Sequence, residues 1–168
     1  SRHSLSCVVV GKREDAMQRG YWYTIARDAN SLEAPEGVGI RAAKRTVEKL
    51  GARKVSTEKV PVIFEAPIAS SLINHLVSAV SGGNLYRKAS FLVDYAGKKI
   101  FPDHISISER PHLPKGLGSS PFDAEGVRTS DRNLVEDGVL TGYVLGSYSA
   151  RRLELPPTGN AGGGHNLA

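Results

Sequence analysis

Apolar residues recur at two periods along this chain, and those periods predict its elements. Between Pro67 and Gly83, PIASSLINHLVSAVSGG, the residues Ile68, Leu72, Ile73, Leu76, Val77 and Val80 return at helical spacing. Pro67 suits the first turn, where its missing N–H is no loss, and Gly82 with Gly83 supplies a stop. The other side collects Ser70, Ser71, Asn74, His75, Ser78 and Ser81, with no Lys, Arg or Glu among them. That composition predicts a helix covered on both sides, its serine face packed on protein or lining a groove. A second helix is predicted over 35–50. Pro35 and Glu36 open it, Gly39, Ala43, Val47 and Leu50 form one stripe, and Gly51 closes it.

Period-two stretches predict strands. Ser4 to Val10 and Tyr21 to Ala26 read as an antiparallel hairpin, with Tyr21, Tyr23 and Ile25 on one face and Trp22, Thr24 and Ala26 on the other. Val60 to Phe64 reads as an edge strand because of Pro61. Lys98 to Phe101 and His104 to Ser108 read as two more. Asn133 to Leu145 is a hairpin, with Asp137-Gly138 as its type I′ turn. A short helix follows around Ser147 to Leu153. Together these predict an α+β fold, mainly antiparallel sheets with two principal helices at about 35–50 and 67–82.

Two segments break the pattern. Arg110 to Ser130 is rich in Pro, Gly and Ser, and a structureless run of that length inside a domain points to function or disorder. Phe122 and Val127 would pin it down, and Asp123 with Glu125 forms a possible carboxylate pair. Thr158 to Asn166, TGNAGGGHN, lets backbone approach another chain closely, yet it lacks the spacing of a phosphate loop.

Composition narrows the chemistry. The 22 bases and 17 acids leave +5, spread without a basic stripe, so nucleic acid is not the expected partner. The single cysteine, Cys7, excludes an internal disulfide, fits a reducing compartment, and reads as inert core in mid-strand. No apolar run reaches membrane-span length. The histidines are His3, His75, His104, His112 and His165; no two lie at ligand spacing on one predicted element, and His75 reads as a hydrogen-bonded helix residue. Ser119, Ser120 and Ser147 lack a nucleophile-elbow context.

Five stretches in register resemble the PmbA/TldE branch of the TldD/PmbA family, once labelled modulators of DNA gyrase. They are MQRGYWYTIARD (Met17–Asp28), APIASSLINHLVSAVSG, SSPFDAEGVRT (Ser119–Thr129), LVEDGVLTGYVLGSYSAR (Leu134–Arg151) and TGNAGGGHNL (Thr158–Leu167). Family members are longer, so the chain is expected to be a middle portion. Residues 1–59 would end the family's N-terminal region, and residues 60–168 would begin its C-terminal region. The resemblance implies a cytoplasmic two-subunit metallopeptidase whose TldD-type member holds zinc through H-E-x-x-x-H. In register with that motif this chain offers Asn74, His75 and Ala79: an amide, an imidazole where a carboxylate is needed, and a methyl group.

The expectation is therefore a subunit with no catalytic residue and no metal or cofactor of its own. Zinc would sit in a TldD-type paralogue, reached by heterodimer formation or replaced by self-association. Peptide would be held near Asp123, Glu125, Gly126, Thr158, Gly159 and Asn160, at a groove or interface. The alternatives are a metallopeptidase in its own right or a regulator of DNA gyrase.

Overall fold

Strand β1 (His3–Arg13) pairs antiparallel with β2 (Ala16–Ala26) in the computed structural model, which describes residues 1–168. The chain divides into two units, Ser1–Pro61 and Val62–Ala168. In the first, helix α1 (Pro35–Lys49) packs across both strands. Leu5, Cys7 and Val9 turn towards the helix and are half-buried, whereas Val8, Val10, Tyr21 and Tyr23 on the opposite face are exposed.

The buried face of α1 is Val38, Ala42 and Thr46, one residue back from the stripe expected from hydrophobicity, and Val47 is exposed. Backbone proximity explains the shift. Gly20 lies so close to the helix that a β-carbon there would sit 2.4 Å from Thr46 Oγ1 and 2.9 Å from its backbone nitrogen. A small face is needed at that contact, and the buried Thr46 hydroxyl is satisfied by donating to the Ala42 carbonyl at 2.8 Å. Trp22 is fixed by donating to Glu33 Oε2 at 3.1 Å, with the Arg41 guanidinium 4.7 Å from its ring centre.

Residues 52–65 carry no regular structure, so the expected strand at Val60–Phe64 is absent, and Ile63 is 96% exposed. Pro61 removes one ladder donor, and the segment is paired with none of the strands.

The second unit holds α2 (Ala66–Ala79), α3 (Gly82–Tyr86), β3 (Ile107–Glu109), β4 (Arg132–Glu136), β5 (Val139–Leu140) and α4 (Ser147–Arg152). The three strands form one antiparallel sheet in the order β3-β4-β5. Its core gathers Leu76, Val80, Leu85, Leu134, Leu140 and Leu145 with their neighbours. Asp137 and Gly138 take φ of 47° and 79°, as the type I′ turn requires. A β-carbon on Gly138 would also meet the Phe101 carbonyl at 2.2 Å, so glycine is needed there twice over. The segment Lys98–Phe101 supplies a single bridge, Lys99 to Val139, rather than a strand, and His104–Ser108 is reduced to β3. The α+β class stands.

Helix α2 departs most from expectation. Only Leu76 is buried within it; Ile68 and Leu72 are about half exposed, and the serine side is open. Ser70 and Ser71 return their hydroxyls to the carbonyls of Pro67 and Ile68. The helix is held by its C-terminal half, where Ile73, Leu76 and Val77 reach the core, and nothing else in this unit covers its first two turns. Gly82 and Gly83 do not act as a stop, because Gly82 begins α3. A β-carbon at Gly82 would fall 2.2 Å from Ser149 Oγ, so its smallness lets α3 lie against α4. No helix of the chain is long and apolar enough to cross a membrane.

Candidate functional site

The irregular segment and the glycine-rich tail are ordered by polar side chains rather than by Phe122, which is 58% exposed. Glu109, fully buried at the end of β3, accepts at Oε1 from Asn160 Nδ2 and from the His165 backbone N–H, both at 2.7 Å. Its Oε2 accepts from Arg132 Nε at 2.6 Å. Arg132 then donates to the Tyr143 carbonyl at 2.8 Å and to Asn160 Oδ1 at 2.9 Å. A buried charge is tolerated when paired and fully hydrogen-bonded, and no buried side-chain polar atom in the chain lacks a partner. Asn166 closes the other end, donating to the Arg110 carbonyl and accepting from Gly118 N–H, each at 2.8 Å.

Asp123 and Glu125 do not form a dyad. Asp123 is buried and accepts from the N–H groups of Glu125 and Val127 at Oδ1 and of Ala161 at Oδ2, all at 2.9 Å. Burial pushes its carboxyl upward, but these backbone donors, from Ala161 first, and the positive field of His165 outweigh it and hold the carboxyl below its ordinary value. Glu125 turns away to the start of α4, where its Oε2 accepts from Ser147 N–H at 2.7 Å. Hydrogen bonds from the Ser147 side chain and backbone lower its pKa as well. Gly126 is an exposed turn residue with φ of 80°. Gly159 is buried with φ of 71°, where a β-carbon would lie 2.7 Å from the Arg128 carbonyl. The Thr158 hydroxyl accepts from Leu145 N–H at 2.8 Å and donates to Asn160 Oδ1 at 2.7 Å.

A groove of about 570 Å³ runs between the C-terminal half of α2, the starts of α3 and α4, and the tail. Asn74, Ser78, Gly83, Glu125, Tyr148 and Gly162 are among its walls. Of the residues singled out from sequence, Asn74, Glu125 and Asn160 meet here. His75, Ala79, Asp123, Gly126 and Gly159 lie outside the lining, and Thr158 lines a separate cavity of about 540 Å³ beside Leu85, Tyr143 and Leu155. Sequence reasoning missed Tyr86 and Tyr148, whose rings meet edge-on at 5.7 Å on the groove wall. Their signal was the repeated tyrosine-then-arginine composition of NLYR and SYSARR.

The positions in register with a zinc motif do not fit a zinc ion. Asn74 and His75 are exposed on α2, Ala79 has no donor, and no three His, Cys, Asp or Glu side chains of the chain converge as a ligand set. His165 is engaged elsewhere, its ring nitrogens 3.1 Å from the carbonyls of Gly118 and Gly159.

The profile of the PmbA/TldA metallopeptidase C-terminal domain matches residues 57–167, and that of the PmbA/TldA metallopeptidase central domain matches residues 1–50. The metalloprotease PmbA homolog of Haemophilus influenzae is 52% identical over 166 residues, covering 99% of this chain and 37% of the relative. A Bacteroides thetaiotaomicron protein solved under a gyrase-modulator name superposes with a TM-score of 0.92 at 32% identity, over 99% of this chain and 38% of its own. TldE from Thermococcus kodakarensis superposes with a TM-score of 0.69 at 25% identity, over 99% of this chain and 39% of its own. The chain thus spans well under half the length of the relatives it matches.

Proposed function

This chain belongs to the PmbA/TldD metallopeptidase family, and from that premise we propose that it is the peptide-holding, non-catalytic part of a PmbA/TldE-type subunit. The observation that carries the reading is the setting of Asn74. It stands where the resemblance places the first zinc histidine, yet it offers an amide to a groove lined largely by serines and glycines. Such walls suit an extended main chain, whose N–H and C=O groups need partners and whose side chains need room. In this reading zinc and the water-activating carboxylate come from a TldD-type paralogue in the cytoplasm, and the two subunits share the peptide.

The test is cleavage of an unstructured peptide by the full-length protein, alone and mixed with the paralogue, with and without a chelator. Cleavage confined to the mixture and abolished by the chelator is the expected result. The Haemophilus influenzae relative carries the name metalloprotease, and that name supports the rival reading of an independent enzyme. Chelator-sensitive cleavage by the full-length protein alone, with stoichiometric zinc, would establish the rival and overturn the proposal.

A further inference from the structure

At the lip of the groove, α3 and α4 bring two arginines onto one aromatic ring. The Arg87 guanidinium lies 5.7 Å from the centre of Tyr86, and that of Arg152 lies 5.9 Å from the same centre. Tyr148 meets Tyr86 edge-on and fixes its plane. Arg87 also hangs over the groove wall itself, with its terminal nitrogen 3.7 Å from the position a β-carbon would take on Gly83. It donates to the Asn84 side chain at 3.3 Å, and neither arginine forms an ion pair. Both guanidiniums lie within 6 Å of one ring centre, so an anion drawn to the edge of that ring feels the attraction of both charges. Glu125 supplies the groove's negative charge, on the α4 side near the tail.

We infer that Tyr86, Arg87 and Arg152 form a carboxylate-binding subsite that reads an acidic side chain or the C-terminal carboxylate of a peptide lying in the groove. The inference rests on the peptide-holding reading and adds to it a polarity. Planar guanidinium forks match a carboxylate in two-point geometry, and the tyrosine face keeps them pre-set rather than free in solvent. Exposed charge pairs contribute little each, so the preference should be about fivefold and should fade with salt.

The experiment measures binding of labelled short peptides to the full-length protein by fluorescence anisotropy. One neutral sequence is compared as its C-terminal amide, as its free C-terminal acid, and as the amide with one internal Gln→Glu change. About fivefold tighter binding of an acid form over the amide, with that ratio falling to about one in the double variant Arg87→Gln/Arg152→Gln, supports the subsite; which acid gains identifies the source of the carboxylate. Equal binding of all three overturns the subsite but leaves the groove standing. If no peptide binds, the groove reading fails, and the subsite is decided separately by NMR. Titration with N-acetylglutamate should move the Arg87 and Arg152 Nε–H signals saturably, and their failure to move overturns the subsite whatever the peptides do.

Discussion

Glu109 and Asn160 stand 51 positions apart and join at 2.7 Å through the Glu109 carboxylate and the Asn160 amide. That bond ties the glycine-rich tail to the central sheet, and Arg132 touches both partners. The tail reaches the groove wall at Gly162, two residues beyond this clamp and one beyond the Ala161 N–H that Asp123 holds. Order in a glycine-rich stretch is here a product of buried charge rather than of apolar packing.

Glu109→Ala should destabilise the protein by about 3–5 kcal/mol, because it leaves the guanidinium of Arg132 mostly buried without its partner. Asn160→Ala should cost less, about 1–3 kcal/mol, the range for stranding a buried hydrogen-bonding group. The two together should cost less than their sum, since both changes disable one network. Urea unfolding of the four variants in the cycle checks this; strict additivity would show that the clamp is not a unit.

Two glycines separate the observed face of α1 from the one hydrophobicity implied. Gly39→Ala meets nothing within 4 Å and should stabilise by about 0.5–1 kcal/mol, the gain for alanine over glycine inside a helix. Gly20→Ala should cost about 1–3 kcal/mol or more, because the new methyl meets the backbone of α1, which cannot yield as a flexible side chain would. Thermal melts of both variants decide the matter. A destabilised Gly39→Ala would put the packed stripe back at Gly39, Ala43 and Val47.

What could be read in advance follows from how local each cause is. The Asp137-Gly138 hairpin and the span of α1 depend on residues within a few positions of one another, so turn and cap chemistry found them. The face of α1 depends on Gly20, in another element, and no period in residues 35–50 encodes it. The exposure of Ile68 and Leu72 was illegible for the opposite reason, since their spacing demands a partner that nothing in this unit supplies. At the groove, Asn74 and Glu125 were visible as chemistry, but the meeting of Tyr86 with Tyr148 comes from the close approach of Gly82 to Ser149.

Acid should loosen the irregular segment before it unfolds the core. A carboxyl whose folded pKa lies below its unfolded value adds stability above the unfolded value, and that stability is lost as pH falls through the folded one. Asp123 is such a group, held below its ordinary 3.8. Its share is intact at neutral pH and drains away below about pH 4. Asp123→Asn, which keeps one acceptor oxygen, should be less stable than the parent at pH 7 and show a flatter acid limb. Stability curves from pH 7 downward test this; parallel acid limbs would remove Asp123 from the account.

Ser78 offers the cleanest means of blocking the groove. It lies on the exposed side of α2, lines the groove, and its carbonyl rather than its hydroxyl makes the close contact, accepting from Asn84 Nδ2 at 2.8 Å. Ser78→Tyr therefore places a ring in the groove while leaving that main-chain contact and the core residues Leu76 and Val80 untouched. Unfolding should shift by no more than about 0.5 kcal/mol, the usual range for surface changes. Peptide affinity should fall by about tenfold or more, since each 1.4 kcal/mol of lost contact is one decade. Isothermal titration of the full-length variant with a peptide that binds the parent gives the answer. Undiminished affinity in a stable Ser78→Tyr protein would mean that the peptide lies elsewhere, and the wall of Asn74, Ser78 and Gly83 would lose its assigned role.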